Sequence, residues 1–229
     1  MPEPIRVISS MATRLVLAEL AAGWTLRSGV PVALEAVGGV DAARRVQADE
    51  AFDAVVLASG PIEDLLASGR ARAGSRADLV RSGVSVAVRA GAPRPDIGDE
   101  AALKAAVLAA PTLGYSTGPS GTHLLRTFER WGVAETLRGR IVQAPPGVPV
   151  GTMVADGRVA LGFQQLSELM HLEGIDVVGP LPPGVQILTV FAGAVCAAAT
   201  QPAAAADWLA FMASDAAADT KRRHGMEPA

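Results

Sequence analysis

Up to Gly69 the chain alternates short apolar runs with segments of helical period, and no other feature restricts the fold as strongly. Ile5–Ser10 (IRVISS) reads as a buried strand. It runs directly into a helix over Ala12–Leu26, where Leu17, Leu20, Ala21 and Trp24 recur at i, i+3, i+4 and i+7. Val32–Val37 is a second strand, stopped by Gly38-Gly39 and followed by a helix at Asp41–Ala48. Ala54–Ala58 (AVVLA) is a third buried strand, whose helix opens at Ser59-Gly60-Pro61 with proline at a favoured first-turn position. A βαβαβα order requires crossover connections, and these imply a parallel sheet covered by helices on both faces.

A second block repeats the alternation. Val84–Arg89 is a strand, Asp99–Ala109 a helix, and Thr112–Ser116 a strand. A helix from about Ser120 carries Leu124, Phe128 and Trp131 as its apolar stripe. Pro145, Pro146 and Pro149 make Arg138–Gly151 a loop, with a strand at Ile141–Val142. Beyond it come a short helix (Thr152–Ala155), a strand (Val159–Phe163), a helix (Gln165–Leu172) and a strand (Ile175–Val178). After a break at Gly179–Gly184, a long apolar strand (Gln186–Val195) leads to a helix at Pro202–Ala213 and a charged tail. On pattern alone, one continuous sheet and two lobes fit equally well.

Composition removes several classes of function. A net charge of −3 leaves no Lys/Arg excess for nucleic acid or an acidic membrane. The single cysteine, Cys196, lies in an apolar run and excludes both a disulfide scaffold and a cysteine zinc site. His123, His171 and His224 are too widely spaced for a metal-ligand pattern, so neither metal nor cofactor is expected. No G-x-G-x-x-G follows the first strand, and neither a P-loop nor a G-x-S-x-G elbow is present. No transmembrane helix is expected. Glu3, Arg6, Arg14 and Glu19 interrupt any leader-like segment, so the sequence reads as cytoplasmic, or as periplasmic if a leader has been cleaved.

In open α/β sheets, ligands bind beyond the carboxyl ends of the strands. Three such ends here carry hydroxyls at a helix start: Ser9-Ser10, Ser59-Gly60-Pro61, and Ser116 through Thr122, which includes Ser120 and Gly121. A helix start offers unpaired N–H groups and the positive end of the dipole, a setting that attracts anions. The same hydroxyls also suit helix caps worth roughly 1 kcal/mol each. Gln164 and Gln165, at the end of a strand, stand where a second set of donors belongs. His123, Glu63 and, behind them, Asp64 are the candidates for proton transfer, with His123 a weak one that reads first as a solvent-facing helix residue. Glu129, Glu168 and Asp156 read as solvated faces.

With these segments in view, residues 5–228 resemble the molybdate-binding-like branch of type II solute-binding proteins. The matching pieces are VISSMATRLVLAEL, VVLASGPIEDLL, VSVAVRAGAP, GPSGTHLLRTFERWGV, GTMVADGRVALGFQQ, VVGPLP and the closing AAAADWLAFMASDAAADTKRRHGMEP. The resemblance implies an α/β fold of two lobes with mixed, mostly parallel sheets, closing by a hinge over a ligand in the cleft between them. Residues 1–84 with 190–229 would form one lobe and 85–189 the other, with Val84–Arg89 and Gln186–Val195 as crossing strands. It implies hydroxyl donors at Ser10 and Ser59, a backbone donor near Ser120 and Gly121, and another at Gly147 or Val148. Gln165 falls where molybdate binders carry a tyrosine, a departure that favours a carboxylate. The implied partners are a small oxyanion or organic acid and, if the protein is exported, an ABC-transporter permease. Since the branch includes aconitate-isomerase-like members, a metal-free isomerase acting on a di- or tricarboxylate is the alternative.

Overall fold

Ile5–Ser10 forms strand β1, and every side chain in it except Arg6 is buried, as a strand covered on both faces requires. The computed structural model describes residues 2–145 and 147–229; Pro146, in the proline-rich loop, lies outside them. After a 3₁₀ turn at Met11–Thr13, the chain continues through α1 (Arg14–Ser28), β2 (Val32–Val37), α2 (Gly39–Gln47), β3 (Ala54–Ala58), α3 (Ser59–Ala67) and β4 (Ala77–Arg89). Next are α4 (Glu100–Ala109), β5 (Leu113–Tyr115), α5 (Pro119–Arg130), α6 (Ala134–Leu137) and β6 (Ile141–Gln143). They are followed by α7 (Val150–Ala155), β7 (Leu161–Gln165), α8 (Leu166–Leu169) and β8 (Ile175–Pro180). The last elements are β9 (Leu188–Val195), α9 (Pro202–Ala213), α10 (Ala218–Arg223) and β10 (Glu227–Pro228).

Contacts divide the chain into two units, residues 1–82 with 189–229 and residues 83–188. In the first, β1 is flanked by β2 and β3, both parallel to it, and β9 returns antiparallel to β3 with Val56 opposite Gly193. Leu17, Leu20, Val56, Trp208 and Met212 share one core cluster, with Trp24 packed against it, and Trp208 is fully enclosed. Helix α9 sits so close to the sheet that a Cβ at Gly193 would come 2.4 Å from Leu209. In the second unit the strand order is β8-β4-β7-β5-β6, antiparallel where β4 pairs with β7 and β8 and parallel around β5. Leu124, Phe128 and Phe163 belong to its core, with the rings of Phe128 and Phe163 edge to face at 6.2 Å.

Two of the departures from the pattern read in the sequence come from remote contacts. Strand β4 begins at Ala77 rather than Val84, because Val80 and Arg81 pair with Pro228 and Glu227 of β10. The expected charged tail is folded: Arg223 and His224 both bond the carboxylate of Glu19 on α1, the latter at 2.8 Å. Both depend on residues far apart in the chain, which local periodicity does not register.

The first unit is closed by one buried side chain. The carboxylate of Asp53 accepts the Arg6 amide at 2.9 Å, the Thr200 and Gln201 amides at 2.8 Å each, and the Thr200 hydroxyl at 3.2 Å. Asp53→Ala would strand these donors in the interior. It is expected to lower the unfolding free energy by about 3 kcal/mol or more in urea titration, and a loss under about 1 kcal/mol would refute the role assigned to Asp53.

Candidate functional site

In the first unit, β1, β2 and β3 end on the same side of a parallel sheet, and a helical segment starts at each end. None of the residues that precede them, Ser10, Gly38 and Ala58, caps its helix with a side chain. The first-turn amides of α2 and α3 are therefore without the partner that a capping side chain supplies. Ser10 is only 8% exposed and its Oγ has no hydrogen-bond partner among the described residues. Its carbonyl, in contrast, accepts the hydroxyls of Ser9 and Thr13 at 3.3 and 3.2 Å. Gly39, which opens α2, packs over it, with a Cβ there falling 3.7 Å from that of Ser10. Leaving a buried hydroxyl unpaired costs about 1–3 kcal/mol, a cost that a ligand acceptor would remove. Ser59 is the first residue of α3, half-buried, rather than its cap. Neither serine caps a helix with its side chain.

In the second unit, α5 follows β5 through Gly118 and Pro119. Ser120 is buried with its hydroxyl 3.4 Å from that of Ser116. A Cβ at Gly121 would fall 2.0 Å from the Ser116 carbonyl, and the Gly121 amide donates to Gly118 at 3.0 Å. Gly121 thus allows the helix to approach the strand end, and its N–H is already engaged. The amide of Val148 is engaged too: it donates to Pro145 at 3.0 Å, across a turn in which Gly147 adopts φ 76°. The donor expected at Val148 is spent inside the loop, because the left-handed glycine folds that amide back on the chain.

The two glutamines separate by strand geometry, since adjacent residues point to opposite faces. Gln165 shares its face with Phe163, which packs on Phe128 of α5, so the buried Gln165 side chain lies on the α5 side of the sheet. Gln164 faces α7, where its Oε1 accepts the Gly151 amide at 3.2 Å and its Nε2 donates to Glu168 at 2.8 Å. Both glutamines lie within β7 rather than beyond it, because the strand extends to Gln165.

Of the candidates for proton transfer, His123 is exposed and lines, with Thr127 and Arg130, a pocket of about 270 Å³ along α5. Glu63 and Asp64 are exposed as well, and Glu63 is taken up by Arg76 at 2.6 Å. The expectation that Glu168 is a solvated surface residue is corrected: desolvation pushes its carboxyl up from an ordinary 4.5 to about 7, against the opposing bond from Gln164. The side chain that gives it away, Gln164, stands four residues earlier, and its i, i+4 spacing was the only signal in the sequence.

Residues 5–227 match a family described as bacterial extracellular solute-binding protein. The chain is 34% identical over 230 residues to an aconitate isomerase from a Pseudomonas species, covering 98% of this chain and 87% of that protein. Among solved structures, it resembles the periplasmic molybdate-binding protein of Azotobacter vinelandii, with TM-score 0.80 and 19% identity over 97% of this chain and 98% of that one. It also resembles the sulfate-binding protein SubI of Mycobacterium tuberculosis, with TM-score 0.79 and 16% identity over 99% and 87% of the two chains. At these identities the structural likeness is one of fold, that of the two-lobed periplasmic binding proteins.

Two outcomes follow. Ser10→Ala removes a hydroxyl that bonds nothing, so the melting temperature of the empty protein should not fall, while binding of an anionic ligand weakens by about 1–3 kcal/mol. Ser59→Ala should do the same, and a loss of stability without a loss of affinity would make both serines structural. Glu168 holds its proton more tightly folded than unfolded. Its contribution is therefore fully present below about pH 4.5 and lost as pH rises through about 7, on the order of 2–3 kcal/mol. Urea midpoints from pH 4.5 to 8 should decline more in the native protein than in Glu168→Gln, and parallel curves would contradict the shift.

Proposed function

The chain belongs to the family of bacterial extracellular solute-binding proteins, and within it we propose that this member binds a small di- or tricarboxylic acid and isomerises it by moving a proton. The observation that carries this reading is the likeness, through nearly the whole chain, to a protein named aconitate isomerase. The side chains agree with an acid of that kind. Ser10 offers a buried hydroxyl with no hydrogen-bond partner among the described residues, Ser59 offers a second hydroxyl at the first residue of α3, and the helix starts beside them favour negative charge. Gln165 adds a buried amide that both donates and accepts, which suits a carboxylic acid with a protonated group better than a bare oxyanion.

A second reading, binding without chemistry, is favoured by the family itself and by structural relatives named for molybdate and sulfate binding. On that reading the protein delivers an anion to an ABC-transporter permease.

Calorimetry separates the ligands and proton NMR separates the readings. We expect citrate- and aconitate-like acids to bind more tightly than molybdate or tungstate, and cis- and trans-aconitate to interconvert when incubated with the protein. Sub-micromolar molybdate binding with the organic acids inert would overturn the proposal. Tight acid binding without interconversion would leave the second reading.

A further inference from the structure

Resting on the isomerase reading, we propose that Glu168 is the residue that takes up and returns the migrating proton. Its position follows from its place in the chain and two hydrogen bonds. Helix α8, which carries it, starts directly after Gln165, the amide assigned to the ligand. Its carboxylate is fixed by Gln164 at 2.8 Å, and Gln164 is in turn anchored on Gly151 in the first turn of α7, just after the Val148 loop. Glu168 is thus held at the end of β7 where the loop before α7 and the strand end meet, and it is half-buried.

A proton acceptor also has to be free of a cation that would hold it ionised and weakly basic. Glu168 has no salt bridge among the described residues, whereas Glu19, Glu35, Glu63 and Asp156 each pair with an arginine. Burial outweighs the charged groups on neighbouring elements. Asp176 of β8 accepts the Gly91 amide, Asp156 beyond α7 pairs with Arg158, and His171 and Glu173 beyond α8 are exposed. Burial is the dominant influence and leaves a carboxyl near neutrality, where a general base works best. Gln164 is the positioning residue, since it fixes the carboxylate from behind.

The chemistry closes on itself. The Glu168 carboxylate removes a proton from the methylene carbon of the acid, and the C–H electron pair spreads over the three-carbon allylic system into a neighbouring carboxylate. The neutral Glu168, once its acidic proton has traded with solvent, delivers a proton at the far end of that system. One C–H bond breaks, one forms and the double bond moves by one carbon, with no oxidant or co-reactant. Because aconitate carries a carboxylate on each of its three skeleton carbons, this shift regenerates the same skeleton and lets the double bond re-form with the other geometry.

The test is deuterium incorporation from D₂O into aconitate, followed by proton NMR, in the native protein, Glu168→Gln and Glu168→Asp. Glutamine keeps an acceptor for Gln164, and a melting curve verifies the fold of each variant. We expect Glu168→Gln to lower exchange and interconversion by about 10²–10⁴-fold while its calorimetric affinity for aconitate stays within about fivefold. In the native protein kcat/KM should fall as pH drops through about 7, as the carboxylate takes up a proton. Glu168→Asp should restore part of the rate and displace that limb. If Glu168→Gln exchanges deuterium within tenfold of the native rate and keeps the limb, Glu168 is not the base, although the isomerase reading stands. If the native protein binds the acids but neither interconverts them nor exchanges deuterium, the isomerase reading falls and takes this assignment with it.

Discussion

Four hydrogen bonds converge on the carboxylate of Asp53, and they tie the second residue of β1 to the turn that starts α9. That tie fixes the end of β9, which lies between β3 and β4 in the sheet. Buried charge is tolerated here because every donor is a backbone amide or hydroxyl aimed at it, so no bare ion remains. The register set this way places Gly193 under Leu209, where α9 comes too close for a side chain. The parallel strands β1, β2 and β3 are then held side by side, and with them the three helix starts that carry Ser10, Gly39 and Ser59.

Polar groups at the strand ends fall into two kinds. Gln164, Gly121 and Val148 have their hydrogen bonds inside the protein, and they shape the second unit. Ser10 and Glu168 are enclosed and incompletely compensated, one by lack of a partner and the other by loss of water. Each makes the empty fold less stable than an apolar substitute would. Natural sequences tolerate such residues chiefly where something outside the chain completes them.

The order of strands and helices was legible because β1 and β3 are buried on both faces and read as unbroken apolar runs. The three hydroxyl-bearing turns were legible for the same reason, since each begins where such a run ends. The first half of β4 was not legible: Asp78 and Arg81 break its apolar pattern, and it becomes a strand by pairing with residues nearly 150 positions away, as in the 147-residue separation of Arg81 from Pro228. The spent amide of Val148 was hidden because a backbone turn at Gly147 leaves little trace in side-chain pattern. Glu168 escaped because a carboxylate on a four-residue helix looks solvated until the glutamine beneath it is placed.

The first unit is discontinuous in the chain, and this has a consequence for how the protein is made. The segment through β3 leaves the ribosome well before β9, and until β9 arrives, β3 presents a bare apolar edge that invites pairing with other chains. The second unit is one uninterrupted segment, residues 83–188, and can complete its own sheet during that interval. Vectorial synthesis therefore delivers a finished inserted unit on an unfinished host. The hazard ends only when Val195 pairs with Ala54 and the turn at Thr200 reaches Asp53. Shielding by a chaperone during that interval would protect the strand edges that wait for β9 and β10, those of β3 and of the first half of β4.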